Sequence, residues 1–379
     1  MLTRRSYLFG TLAGTLAAIA PNLLGSLSGA TASNADGIAL APRTLAFPRD
    51  HGAHNDFRIE WWYLTGWLDP DPALDAEHDA ALGFQVTFFR IHTAIDPANP
   101  SRFAAHQVLL AHAALADPAR AALMQEQRIS RTGFGIAAAA ESDTDLTLDR
   151  WRFARAADGS YRCSLRAREF VLDLAALPTQ PLLLQGEAGR SRKGPSPAQA
   201  SYYYSQPQLA VSGTIERAGV RASRRGVAWL DHEWANTLLA VDAAGWDWLG
   251  MNLADGSALT AFQIRRRDDP KNERPLHAYA SLRGRNTARI QTFSADEIRW
   301  HPLAQWHSAR TGADWPVAQQ IRIGARIFTT KPLFDDQELD SRAVNGIAYW
   351  EGASQLLEDR QPIGRGYLEL TGYAAPMRR

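Results

Sequence analysis

Along most of the chain, apolar and polar positions alternate with a period of two, the spacing of a β-strand. Phe57, Ile59, Trp61, Tyr63, Thr65 and Trp67 fall on one face of a single strand, with Arg58, Glu60, Trp62 and Leu64 on the other. Residues 82–89 and 106–112 predict the next two strands. Residues 146–155 and 161–168 flank Asp158-Gly159, a hairpin turn signal. Residues 201–205, 209–216 and 226–234 continue the pattern, and no long amphipathic helix interrupts it. Many short strands at regular turn spacing predict an all-β barrel or sandwich.

An internal repeat sharpens this. Residues 61–68 (Trp-Trp-Tyr-Leu-Thr-Gly-Trp-Leu) line up with 246–253 (Trp-Asp-Trp-Leu-Gly-Met-Asn-Leu). After a loop, residues 81–86 line up with 258–264 with one insertion, which matches Phe84-Gln85 to Phe262-Gln263. Two opening hairpins of one design predict two related barrels, one over residues 45–238 and one over 239–379.

The first residues read as an address. Thr3-Arg4-Arg5-Ser6-Tyr7-Leu8-Phe9 follows the twin-arginine export pattern, a mildly apolar run follows, and Ala30-Thr31-Ala32 is a small-x-small cleavage site. Residues 1–32 are therefore expected to be a signal peptide recognised by the Tat export machinery. The mature protein is then expected in the periplasm or outside the cell, with no stable membrane insertion, because no later run is long and apolar enough. Cys163 has no second cysteine to pair with and reads as a small buried hydrophobe.

Charge removes some partners. The chain has 41 basic and 40 acidic side chains; without residues 1–32 it loses Arg4 and Arg5 and no acid, leaving 39 against 40. That balance argues against nucleic acid as a partner. Arg221, Arg224 and Arg225 read as a solvated hairpin tip, and Arg265 to Arg267 as a surface run partly balanced by Asp268 and Asp269. The 12 tryptophans, several beside charged residues in strands, suit a pocket with apolar walls and a few polar groups.

The densest chemistry lies in Trp229-Leu230-Asp231-His232-Glu233-Trp234. On a strand, His232 and Trp234 share one face, and Asp231 and Glu233 share the other with Trp229. Either pair could face a pocket while the other braces neighbouring strands. His106 and His112 share parity and His232 could join them, but six strand residues span ~20 Å, so no metal is expected. Gly-x-Ser-x-Gly, a Walker loop and a dinucleotide fingerprint do not occur, and no cofactor is expected.

Glu60-Trp61-Trp62-Tyr63, the 201–205 run Ser-Tyr-Tyr-Tyr-Ser, the 229–234 motif, Tyr349-Trp350-Glu351-Gly352 and residues 366–373 together resemble the lipocalin-like carotenoid 1,2-hydratase / AttH family, in its secreted branch of predicted hydrolases. The resemblance implies two tandem lipocalin-like (calycin) antiparallel β-barrels. Related hydratases use this His and Trp, which implies that His232 and Trp234 face the pocket. Those hydratases also carry a Tyr and an essential Asp on the strand that follows; residues 258–265 have neither, with Phe262 and Gln263 there instead. Another acid would have to serve, and Glu60, Asp247, Glu351 and Glu369 are the candidates. The expected catalytic set is His232, Asp231, Glu233 and Glu60. Trp234, Trp61, Trp62, Tyr63, Tyr203, Gln263, Tyr349 and Glu351 are expected to line the ligand site. The expected function is a cofactor-free acid/base enzyme, hydratase- or isomerase-like, on a hydrophobic isoprenoid- or lipid-like small molecule. The alternatives are a periplasmic carrier of such a ligand beside an ABC transporter, and a secreted hydrolase.

Overall fold

A computed structural model describes residues 39–70, 80–237, 239–269, 272–285, 287 and 289–377. The expected signal peptide, residues 1–32, lies outside them. Thirteen strands form the first antiparallel sheet. They are β1 (Ile59–Leu68), β2 (Leu82–His92), β3 (Gln107–Asp117), β4 (Ala122–Arg131), β5 (Ala137–Ala139), β6 (Asp145–Leu148), β7 (Trp151–Arg155), β8 (Tyr161–Arg166), β9 (Phe170–Pro178), β10 (Leu183–Leu184), β11 (Arg190–Arg192), β12 (Ala200–Arg217) and β13 (Val220–Ala235). The order runs β4-β3-β2-β1-β13-β12-β9-β8-β7-β6-β5, with β10 and β11 on β12.

The second sheet has ten strands. They are β14 (Ala243–Leu253), β15 (Ala258–Arg266), β16 (His277–Arg283), β17 (Ile290–Phe293), β18 (Ile298–His307), β19 (Asp314–Ile323), β20 (Arg326–Pro332), β21 (Glu338–Ser341), β22 (Ile347–Glu358) and β23 (Gln361–Thr371). Their order is β17-β16-β15-β14-β23-β22-β20-β19-β18, with β21 on β22. Each sheet curls into a nearly closed lipocalin-like barrel around its own apolar core. Among the described residues no helix is long and apolar enough to cross a membrane.

Outer strands such as β8 alternate buried and exposed residues, as a strand with one wet face must. β1 differs. Trp62, Leu64 and Leu68 join the first core, while Tyr63 and Trp67 join Trp229, Trp248, Phe262 and Tyr367 in a third apolar cluster. That cluster fills a seam in which β1, β12 and β13 of one barrel lie against β14 and β23 of the other. Trp67 Nε1 donates to Gly366 O at 2.9 Å and Asn252 Nδ2 to Ala228 O at 3.1 Å across it. β12 bulges between Gln206 and Leu209, a place that tolerates Pro207, and Gln208 Nε2 donates from the bulge to Leu253 O and Ser257 O.

Several expectations change. Residues 146–155 are not one strand: Asp149, with φ 54°, turns the chain between β6 and β7. Residues 201–205 and 209–216 belong to one long strand, β12. Arg224 is not at a solvated tip; it is buried and donates to Asp69 O at 2.8 Å. Arg265 is not on the surface either, since its Nε pairs with Asp247 at 3.0 Å.

The repeat holds in register, but its second strand is phased differently from the sequence alignment. Gly66 pairs with Phe84 and its counterpart Met251 with Leu259, so Phe84 matches Leu259 rather than Phe262. Arg90, opposite Glu60, matches Arg265, opposite Gly245.

The β12–β13 hairpin turns through Ala218 (φ 50°) and Gly219 (φ 78°), so alanine stands in the left-handed region. Two-residue turns of this kind favour Asn there. Ala218→Asn is expected to stabilise by ~0.5–1 kcal/mol, raising the melting temperature by about 1–3 °C in thermal denaturation.

Candidate functional site

Because β1 and residues 228–235 of β13 are buried on both faces, strand parity sorts their polar residues into two separate networks. Glu60, Trp62, His232 and Trp234 point into the first barrel; Trp61, Tyr63, Trp229, Asp231 and Glu233 point into the seam.

The barrel network centres on Glu60. Its Oε1 accepts from His54 Nδ1 at 2.6 Å and His232 Nε2 at 2.9 Å. Its Oε2 accepts from Arg90 Nε at 2.7 Å and His54 N at 2.9 Å. His54 Nε2 lies 3.0 Å from Asp50 Oδ1, and Asp50 pairs with Arg43. Trp234 stacks on His54 with centroids 3.7 Å apart, and Trp62 on His232 at 4.5 Å. Burial alone would raise the Glu60 carboxyl, but hydrogen bonds from His232 and His54 outweigh it and hold the group far below the usual range. Burial pushes His232 down to about 4, so its ring is neutral and its Nδ1 can accept from Tyr204 OH at 3.1 Å. Glu60 is thus a fixed carboxylate and no proton donor, which corrects its expected role as the acid. His54, Asp50 and Arg90 complete the cluster and were missed; an arginine inside the apolar run of β2 was the available signal.

His54, Glu60 and His232 each offer a ligand atom within 4.8 Å of the others, and two imidazoles with a carboxylate are zinc-type donors. Each atom is already spent on the others, and Arg90 adds a cation to Glu60. The set fits a hydrogen-bonded brace better than an open metal site. His112 cannot join His232, because it faces the seam, where its ring meets those of Phe89 and Tyr349.

The seam is short of cations. Asp231 accepts from Tyr203 OH at 2.6 Å, Ser205 Oγ at 2.6 Å and Trp229 Nε1 at 2.7 Å. Burial nevertheless pushes it up to about 7. Glu351 and Glu369 sit opposite each other on β22 and β23. Burial raises both, and each raises the other or is raised by nearby acids: Glu369 for Glu351, Asp231 and Glu233 for Glu369. Trp246 Nε1 donates to Glu369 Oε1 at 3.0 Å. Trp248 Nε1 donates to Tyr203 OH at 3.0 Å. Lys193 pairs with Glu233 at 2.9 Å.

Register shows this seam to be duplicated. Asp231 pairs with Tyr63 and Ser205; Glu369 pairs with Trp248 and Glu351. Asp231 and Glu369 are therefore equivalent positions, as are Tyr203 and Tyr349. Of the expected ligand residues, Trp61, Tyr63, Tyr203, Tyr349 and Glu351 gather here, while Trp62 and Trp234 do not. Gln263 is in neither group: it donates to Asp247 Oδ2 at 2.7 Å inside the second barrel. Asp247 also accepts from Arg265 and from Tyr373 OH, which makes it a brace and not an acid.

Burial and neighbouring acids favour the protonated form of Glu351 and Glu369 in the folded chain, whereas an unfolded chain releases these protons near pH 4, so their burial costs more as pH rises above that value. Buried neutral histidines act in the opposite sense and cancel in a comparison of variants. Glu351→Gln is expected to gain stability over the parent between pH 5 and 8 by up to about 1.4 kcal/mol per unit. Parallel melting-temperature profiles for the two proteins would refute a protonated Glu351.

The family model for AttH-like proteins matches residues 38–373. A crystal structure of an AttH-type protein from Nitrosomonas europaea is 50% identical, with a TM-score of 0.81 over 89% of this chain and 99% of that one. Kievitone hydratase from Nectria haematococca shares the fold at 14% identity and a TM-score of 0.63, over 90% of this chain and 97% of that one. CghA bound to Sch210972 does so at 11% and 0.51, over 89% and 98%. A search of curated proteins gave no match. A family match that spans both barrels and the seam between them means that the chain belongs to the AttH-like family.

Proposed function

We propose that the protein is a cofactor-free acid/base enzyme, hydratase- or isomerase-like, that works on an apolar isoprenoid- or lipid-like molecule in the seam between its barrels. One observation carries this reading: Glu351 and Glu369 lie side by side, Glu351 buried and Glu369 half-buried, where loss of water and the neighbouring carboxyls favour the protonated form. A carboxylic acid with a raised pKa is what protonation of an alkene carbon requires.

The electron count is simple. A carboxyl O–H breaks, its proton and the alkene π pair form a C–H bond, and the neighbouring carbon becomes cationic. The faces of Trp229, Trp248 and Tyr63 line the seam and suit that charge. Water adding to the cation and losing a proton to the carboxylate completes hydration; loss of a proton from an adjacent carbon completes isomerisation. Asp231, with three donors on its oxygens, suits the acceptor role. His232 then acts as a positioning residue that anchors β13. The hydratase name of one structural neighbour accords with this chemistry.

A carrier of an apolar ligand, working beside an ABC-type exporter, is the second reading. The lack of a Tyr or an acid on β15 favours it. Incubation with linear isoprenoids in deuterated water separates the two. The enzyme reading expects carbon-bound deuterium or added water, reduced ~10²–10⁴-fold by Glu351→Gln or Glu369→Gln. A molecule retained unchanged by parent and variants alike would establish the carrier.

Thr3 to Phe9 supports export by the twin-arginine machinery to the periplasm or beyond. Replacing Arg4 and Arg5 with lysine is expected to leave the precursor in the cytoplasm, as cell fractionation would reveal; unchanged export would refute this route.

A further inference from the structure

The seam already holds one ammonium group. Lys193, just past β11, carries its Nζ 2.9 Å from Glu233 Oε1. The same nitrogen stands 4.6 Å from the ring centre of Tyr203 in the first barrel and 4.2 Å from that of Phe262 in the second. The side chain is 13% exposed, so it sits at the rim of the seam. In a chain whose cations are almost all arginine, a lysine here presents a compact ammonium to both rings.

The same materials recur beside it, at carboxyls that form no ion pair with Lys193. Asp231, Glu351 and Glu369 stand among Tyr63, Trp229, Trp248 and Tyr367, and among the described residues none of the three carboxyls has an ion-pair partner. Two polar atoms there are unspent. Glu351 Oε2 and the Tyr63 hydroxyl have no hydrogen-bond partner, although each residue is only 3% exposed. A buried acceptor left unsatisfied costs ~1–3 kcal/mol, which a donor of the right charge would recover.

We propose that the seam inward of Lys193 binds a protonated amine carried on an apolar body, with Glu351, Glu369 and Asp231 around the ammonium and aromatic faces around the carbon. The inference rests on the location of the reaction site proposed above and deepens it. An ammonium at that place is a stable counterpart of the cation that alkene protonation creates, and a site that favours one favours the other.

Binding must displace a proton. Glu351 faces Glu369, Tyr63, Tyr349 and Tyr367, and Glu369 faces Asp231, Glu233 and Lys193. The four tyrosine phenols around the carboxyls, Tyr203 included, are all raised by burial and stay neutral. An incoming ammonium therefore favours ionisation of the carboxyl pair, which is the source of the proton.

Titration calorimetry of the mature protein with geranylamine, geraniol and geranate, one apolar body with three head groups, tests this. At pH 7, in buffers of different ionisation enthalpy, geranylamine is expected to bind at least about tenfold more tightly than geraniol and to release about one proton per molecule bound. Geranate is expected to bind more weakly than geraniol. Glu351→Gln, with Glu369→Gln as a second variant, is expected to bring amine and alcohol to within about twofold and to abolish proton release.

Equal binding of amine and alcohol by the parent would overturn the proposal, as would amine binding unchanged in both variants. Tightest binding of geranate would make Lys193 the anchor and overturn it as well. Failure of the acid-catalysis reading is a separate result, because it is read from turnover in deuterated water and not from these affinities.

Discussion

Burial on both faces of β1 and of residues 228–235 of β13 is the constraint on which the rest of the molecule depends. Each strand serves two interiors, the core of its own barrel and the seam against the other barrel. Successive side chains of a strand point in opposite directions, so every residue of these doubly buried stretches belongs to one interior or the other. Asp231 and His232 are neighbours in the chain, yet they belong to networks that share no hydrogen bond. A one-residue slip of β13 would exchange its whole complement between the two, and the matched register on both of its sides guards against that.

The two interiors treat the same residue type in opposite ways. Glu60 is surrounded by donors and a guanidinium, so burial strengthens its charge pairing and fixes the carboxylate. Glu351 is surrounded by phenols and another carboxyl, so burial works against its charge. The first arrangement satisfies both Glu60 oxygens and ties the segment before β1 to the barrel. The second is unsatisfied at Glu351 Oε2, and polar groups left so inside a fold are where reactivity or ligand capture concentrates.

Duplication explains how the seam acquired matched acids. Equivalent positions of two related barrels face each other, so a carboxyl in one repeat meets a carboxyl from the next. The halves have since diverged. Asp231 gained three donors and Ser205 as a neighbour, while Glu369 kept one indole donor and gained Glu351 where the first repeat has Ser205. On the reading proposed above, that difference would separate a carboxyl that accepts a proton from a pair that gives one. Inside the barrels the repeat keeps an arginine on the second strand, Arg90 or Arg265, each bound to an acid of the first strand, Glu60 or Asp247.

The all-β class and the strands themselves were legible in the sequence, because a period of two is a local property of the chain. So was the pairing of His232 with Trp234 and of Asp231 with Glu233, since parity follows from the strand alone. The repeat was visible in β1 and β14, although the insertion in the next strand hid its true phase until register was known. Which face met the other barrel was not legible. His54, Asp50 and Lys193 lie outside the regular strands, in segments whose path no periodicity describes, and they decide which acids are paired. Charge state followed the same division: the sequence determined which groups could titrate, and only the packing of one barrel on the other decided which of them lost water without gaining a cation.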